Sequence, residues 1–146
     1  MKLVTITNYG MVDFCINAIS SLRSCSIQDT VYVGCTDEMS KKELDKLENV
    51  ETHILNFMEC PEEHEDWSTK GFRKITQNKF PFILSLLNED ILYFDNDVFF
   101  KKNPQEDFVH FPEEADIIIQ SDAPTSHFCT GFIYIRSNDR SKNIIQ

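Results

Sequence analysis

Residues 90–104, Asp-Ile-Leu-Tyr-Phe-Asp-Asn-Asp-Val-Phe-Phe-Lys-Lys-Asn-Pro, constrain the fold of this chain more than any other stretch. Ile91 to Phe94 form a short apolar run rich in β-favouring residues, which reads as a buried strand. Two carboxylates, Asp95 and Asp97, follow at once, and Asn103-Pro104 closes the segment. Charged side chains leave water only when paired or metal-bound. A buried strand that stops on two acids therefore calls for a positive partner, and a divalent cation is the first to consider.

The chain before that strand alternates between two periods. Leu3 to Thr7 reads as a buried strand, and Asn8-Tyr9-Gly10 as a turn. From Met11 to Arg23 the apolar residues Val12, Cys15, Ile16, Ile19 and Leu22 fall at helical spacing. Thr30–Cys35 is a second strand. A polar helix is expected to start at Ser40, with Glu43 as capping-box partner. Val50–Phe57 is a third strand. The order βαβαβ marks a mostly parallel sheet with covering helices.

Glu59–Asp66 is acidic and reads as a solvated loop without a function. Residues 72–87 are helical by composition, and Pro81 is expected to kink or restart that helix because it removes a backbone donor. After Ile91–Phe94, residues 104–112 form a connection. Asp116–Gln120 and Phe128–Ile135 are further strands, the second interrupted by Gly131. A helix opens near Ser137, capped by Ser137 or Asn138. It ends within about two turns, too short to bury much, so the expectation is one domain over residues 1–146, incomplete at its C-terminus.

Composition narrows the partners. A formal net charge of −10 disfavours nucleic acid and anionic membranes, yet a metal and one or two local cations can reverse the field inside a cleft. No apolar run approaches the ~20 residues of a membrane span, and the N-terminus is too short and polar for a signal peptide. The five cysteines show no Cys-x-x-Cys pair, so no disulfide framework and a reducing, cytoplasmic setting are expected. The four histidines show no ligand spacing.

Four constellations carry chemistry. In open α/β sheets ligands bind outside the carboxyl ends of the strands, where Asp95 and Asp97 are expected. Mn²⁺ or Mg²⁺ takes oxygen ligands, commonly one or two carboxylates plus substrate phosphates. The bland alternative is a turn in which one Asp caps the next segment. Lys79 precedes Asp95 by sixteen residues on a helix leading into the strand, and an ammonium there would meet diphosphate charge; Arg73 and Lys74 compete, and any one Lys by spacing alone reads as a surface residue. Asn8 and Tyr9 offer an amide and a ring that suit a nucleotide base, or an ordinary turn. Cys129-Thr130-Gly131-Phe132 places a glycine mid-strand, a sign of a bulge or a close ligand approach, with Asp122 at the end of the preceding strand.

Together these residues resemble the nucleotide-diphospho-sugar transferases of the GT-A fold, with the nearest likeness to the glycogenin-type and plant xylosyltransferase-like families. Val4 to Tyr9 resembles the first-strand segment that holds the uridine. Lys79 resembles the helix Lys that meets the donor phosphates. Ile91 to Val98 resembles the strand ending in the metal-binding Asp-x-Asp, with Lys101 to Pro104 as its tail. Phe128 to Ser137 resembles the later strand whose turn touches the donor sugar. The likeness spans nearly the whole chain, and it implies a GT-A, Rossmann-like α/β fold with a mixed, mostly parallel sheet flanked by helices.

The activity implied is metal-dependent transfer of a sugar from a nucleotide-diphosphate sugar, UDP-linked by preference, to a hydroxyl of a glycan or protein acceptor. Thr7, Asn8 and Tyr9 would lie near the base. Lys79, Asp95, Asn96 and Asp97 would line the diphosphate and metal site, with Asp95 and Asp97 as ligands to Mn²⁺ (or Mg²⁺). Asp122, Thr130 and Gly131 would hold the sugar. Retention of configuration is favoured, with no nucleophile assigned. Two departures stand out: Cys129 replaces a common Asn, and the usual further metal ligand, a His, has no counterpart before Gln146.

Two rivals share these residues. One is a non-catalytic nucleotide-sugar-binding module. The other is a haloacid-dehalogenase-type phosphatase using Asp95, although that family carries Thr where Phe99 stands and places its motif near the N-terminus. An EF-hand loop would need Gly at Phe100 and a polar ligand at Phe99.

Overall fold

The computed structural model of the chain describes residues 1–57, 59–66, 69–108, 110–122 and 127–146, with the side chains of Asp122 and His127 outside the described set. Six strands form one sheet: β1 (Lys2–Thr7), β2 (Val31–Cys35), β3 (Val50–Ile54), β4 (Ile91–Phe94), β5 (Ile117–Asp122) and β6 (His127–Ile135). Their spatial order is β3-β2-β1-β4-β6-β5. β1 pairs in parallel with β2 and β4, and β2 with β3, whereas β6 runs antiparallel to β4 and to β5. The mixed, mostly parallel sheet and its covering helices are the α/β architecture read from the sequence.

β1 and β4 are apolar on both faces because both faces are covered. Along β1, Leu3 packs with α1 (Val12–Ser24), while Val4 and Ile6 pack on the opposite side with Phe82 and Ile83. Along β4, Leu92 and Phe94 face the first side, Ile91 and Tyr93 the second, and all four are fully buried. Burial of side chains this size stabilises the fold by about 1.5–3 kcal/mol each.

α1 buries the expected stripe, Val12, Cys15, Ile19 and Leu22, and is preceded by a 3₁₀ turn at Tyr9–Met11. The next helix, α2 (Glu38–Leu44), starts two residues before Ser40. Its N-cap is Asp37, whose Oδ1 accepts the Ser40 backbone N–H at 2.7 Å. Asp is a strong N-cap, so Ser40 becomes the third helical residue and Glu43 plays no capping part. β3 is shorter than expected, ending at Ile54.

The helical run before β4 divides into α3 (Lys70–Gln77) and α4 (Lys79–Leu86), and the break falls at Asn78 instead of Pro81. Pro81 sits in the first turn of α4, where the missing N–H has no intrahelical partner to lose. Asn78 is fully buried and its amide donates to Lys74 O at 2.9 Å, closing α3. The connection after β4 contains the short helix α5 (Gln105–Phe108). The chain ends in α6 (Asp139–Ile145), capped by Asn138 in a capping box with Ser141.

β6 carries the irregularity expected at Gly131. Ile119 pairs with Ile133, but the next residue, Gln120, pairs with Cys129, so Thr130, Gly131 and Phe132 bulge relative to β5. On the other edge of β6 the ladder is kept: Phe132 pairs with Phe94, and the Gly131 carbonyl accepts the Asp95 N–H at 2.7 Å.

Candidate functional site

The connection out of β1 leads to β2 on one side, while β4 lies on the other. The carboxyl ends of β1 and β4 therefore flank a topological switch point, where open α/β sheets bind ligands. β1 runs on to Thr7 past its last pairing with β4 at Val4–Tyr93. Asn96 spans that gap, its amide donating to Thr7 Oγ1 at 3.1 Å.

Asp95 follows β4 on the same face as Tyr93. Lys79, the first residue of α4, reaches it: Nζ lies 3.0 Å from Asp95 Oδ1 and 3.0 Å from the Thr130 carbonyl oxygen. The Lys79 side chain is 5% exposed, against 42% for Asp95. A buried ammonium needs compensation, which the carboxylate, the Thr130 carbonyl and the Tyr93 ring 4.5 Å below supply. Arg73 and Lys74 are exposed on α3, and of the three cations named from the sequence only Lys79 pairs with Asp95 among the described residues.

Tyr93 is the residue that sequence reasoning missed. Its hydroxyl donates to Asp95 Oδ1 at 2.8 Å. Burial, with Asp95 alongside, pushes its phenol well above the usual range, so it stays a donor. The available signal was a hydroxyl on an otherwise hydrocarbon strand; a buried hydroxyl needs a partner, and the acid two residues on is on the same face.

Asp95 Oδ1 thus has two donors, while Oδ2 has no hydrogen bond among the described residues. A Cβ at position 131 would stand 2.7 Å from Oδ2 and 3.3 Å from Cys129 Sγ. Glycine at 131 keeps the surroundings of Oδ2 clear. Asp97 is exposed and has no ion pair among the described residues. Two carboxylates with free oxygens are a hard donor set that fits Mn²⁺ or Mg²⁺. The described residues contain no cluster of three or more His, Cys, Asp or Glu arranged to hold a metal.

The turn after β1 has a structural role in addition to any ligand. Asn8 is 1% exposed, and its amide donates to the carbonyls of Pro61 at 3.1 Å and Glu63 at 2.6 Å. Gly10 N–H donates to Glu62 O at 2.8 Å, and a Cβ on Gly10 would collide with the backbone of Glu63 and His64. The acidic loop expected to be merely solvated is therefore docked on this turn. Tyr9 differs: Asp37 Oδ2 accepts its backbone N–H at 2.8 Å, and the residue is 44% exposed. Asp37, also missed from the sequence, so fixes the turn and caps α2 with one carboxylate.

Two hydrogen-bonded groups lie at the end of β4: Asn96 with Thr7, and Lys79 with Asp95 and Thr130, the Gly131 carbonyl accepting the Asp95 N–H. Asp97 follows Asn96 in the chain, and Tyr9 lies in the turn after β1. Asp122 ends β5, and its side chain lies outside the described residues.

Residues 26–146 match the family described as nucleotide-diphospho-sugar transferase; β1 and the Asn8-Tyr9 turn precede that match. The UDP-galactose:fucoside alpha-3-galactosyltransferase of Dictyostelium discoideum is 25% identical over 183 aligned positions, which take in 99% of this chain and 28% of that protein. Two crystal structures of the glycosyltransferase GlyE of Streptococcus pneumoniae TIGR4, one of them the apo form, align with a TM-score of 0.64 at 15% identity. They cover 99% of this chain and 36% of theirs, and at that identity the likeness is one of fold. The chain spans about a third of the length of these relatives. Among the described residues no helix is long and apolar enough to cross a membrane.

Proposed function

From the premise that the chain belongs to the nucleotide-diphospho-sugar transferase family, we propose that it forms the donor-binding part of a metal-dependent glycosyltransferase. The donor is a nucleotide-diphosphate sugar, and the acceptor a hydroxyl of a glycan or protein. The observation that carries this reading is the Lys79–Asp95 pair, 3.0 Å apart at the switch point of the sheet. A UDP-linked donor is favoured by the relative named UDP-galactose:fucoside alpha-3-galactosyltransferase.

Asp95 and Asp97 would hold Mn²⁺ (or Mg²⁺), whose chemistry is to neutralise charge on the leaving diphosphate. Lys79 adds a second, fixed positive charge. Its ammonium is already dehydrated and oriented, so it stabilises developing negative charge with little reorganisation. The Tyr9 ring presents an aromatic face to the base. Asn96 holds Thr7 against the end of β4 and keeps the two strand ends together. Thr130 and Gly131 border the sugar, where the absence of a side chain at 131 permits close approach, and Asp122 is assigned to the same subsite.

A non-catalytic nucleotide-sugar-binding module would use the same residues without transfer. No observation favours it, and the family match leaves the phosphatase reading unsupported. A thermal-shift screen of nucleotide sugars with and without Mn²⁺ tests the proposal. A ligand at one hundred times its Kd stabilises the folded state by about 2.7 kcal/mol, so at least one UDP-sugar is expected to raise Tm by several degrees, with Mn²⁺ only. No shift for any nucleotide sugar in the presence of Mn²⁺ would overturn it.

A further inference from the structure

We propose that Tyr93 is a positioning residue of the donor site: its hydroxyl and Lys79 together occupy one oxygen of Asp95, which turns the other oxygen toward a metal. This rests on the donor-site reading above and adds to it a residue that touches neither substrate nor metal.

The Tyr93 side chain is mismatched to its surroundings. Tyr93 is fully buried on β4 and packs in a cluster with Val4, Ile6, Phe82, Ile83, Ile133 and Ile135. Its ladder partners are Val4 and Ile133. Phe would fill the same space without a polar atom to satisfy, and a buried hydroxyl without a partner is costly. The hydroxyl is held at the edge of the cluster, 2.8 Å from Asp95 Oδ1.

The second observation is that three groups meet at that oxygen and above that ring. Lys79 Nζ is 3.0 Å from Oδ1 and 4.5 Å from the Tyr93 ring centroid. Tyr93 thus contacts the acid through its hydroxyl and the cation through its ring. The carboxylate plane is fixed by two donors on Oδ1, by the Asp95 N–H on Gly131 O and by the clearance at Gly131. Oδ2 then has one direction in which to point. Groups that orient a metal ligand without touching the metal commonly affect affinity by 10–100-fold.

Tyr93→Phe keeps the ring under Lys79 and removes only the hydroxyl. The readout is Mn²⁺ binding to the whole 146-residue chain without nucleotide, followed by the loss of the free-ion electron paramagnetic resonance signal, with Tm measured in parallel. The expected result is Mn²⁺ affinity weakened about tenfold with Tm nearly unchanged, since Lys79 still satisfies Oδ1. Tyr93→Met, which removes ring and hydroxyl and leaves a smaller side chain, is expected to weaken Mn²⁺ binding at least as much and to lower Tm. Wild-type protein that binds Mn²⁺ and a Tyr93→Phe variant that binds it equally tightly would overturn this inference alone. A lowered Tm with unchanged Mn²⁺ affinity in both variants would assign Tyr93 to the core only. Wild-type protein that binds no Mn²⁺ would overturn this inference together with the donor-site reading.

Discussion

The Lys79 ammonium lies 3.0 Å from Asp95 Oδ1, across sixteen residues of sequence, and couples the start of α4 to the end of β4. Any cation that binds Asp95 meets a cation already in place. Lys79 therefore has two opposed effects, repelling a metal from Asp95 and attracting the phosphates that arrive with it. The two effects separate in Lys79→Met. Without nucleotide, Mn²⁺ affinity is expected to rise because the competing charge is gone. UDP-sugar affinity in saturating Mn²⁺ is expected to fall about tenfold or more, the worth of a hydrogen bond to a charged group. Stability is expected to fall, because removing one partner of the pair leaves Asp95 without its cation, although the 42% exposure of the Asp95 side chain limits the loss. Calorimetric titration of the variant with each ligand checks both signs.

Gly131 tests how close the β6 bulge comes to Asp95. A Cβ there would stand 2.7 Å from Oδ2 and 3.3 Å from the carboxyl carbon. Gly131→Ala is expected to cost about 1–3 kcal/mol of stability through overpacking and to lower Mn²⁺ affinity by moving the carboxylate. Urea unfolding and metal titration measure the two effects separately. A variant with wild-type metal affinity would place Asp95 Oδ2 away from the metal.

The turn after β1 divides its roles between neighbours. Asn8→Ala removes two of the hydrogen bonds that hold the acidic loop and leaves the Pro61 and Glu63 carbonyls without the Asn8 donor. A loss of about 1–3 kcal/mol is expected by denaturant titration. Tyr9→Ala removes an exposed ring, so Tm should stay within about a degree while UDP affinity falls. The opposite pattern, in which Asn8→Ala weakens UDP without destabilising the fold, would move the base contact from Tyr9 to Asn8.

Two buried thiols are expected to weaken the fold at alkaline pH. Burial pushes the Cys35 thiol up to about 12, and Cys15 is shifted in the same direction. In the unfolded chain these thiols ionise near their ordinary value, about 8.5. Each contributes stability that is complete below that pH and is lost as pH rises toward the folded-state value. Tm is therefore expected to fall between pH 9 and pH 11, and less steeply in Cys35→Ala, once the offset from the lost packing of the sulfur is subtracted at pH 7.

The sheet was legible in the sequence where burial is two-sided. Ile91–Phe94 is a continuous apolar run, and Leu3, Val4 and Ile6 carry the apolar character of Leu3–Thr7; each forms the buried strand its pattern predicts. The Gly131 bulge was legible because a glycine mid-strand has few other uses. The elements that shifted did so for local reasons. Asp37 caps α2 because its second oxygen also takes the Tyr9 N–H, a contact made across 28 residues. Pro81 breaks nothing because Asn78 closes α3 first. The site was legible in its charged members and not in its supporting ones. Asp95 and Asp97 stand out by type, Lys79 shares its type with Arg73 and Lys74 nearby, and Tyr93 is counted among the apolar residues of its strand. The docking of Glu59–Asp66 on Asn8 depends on backbone carbonyls more than fifty positions away, which no local pattern encodes.

The account turns on whether the acids at the end of β4 bind a donor through a metal. Asp97 is exposed and unpaired among the described residues, so Asp97→Ala removes a proposed ligand without disturbing the fold. The most direct measurement is calorimetric titration of a UDP-sugar into wild-type and Asp97→Ala protein, with and without Mn²⁺. The account predicts binding to wild-type protein in Mn²⁺, and none either in its absence or with Asp97→Ala. Binding to Asp97→Ala with wild-type affinity, or no binding to wild-type protein in Mn²⁺, would contradict it.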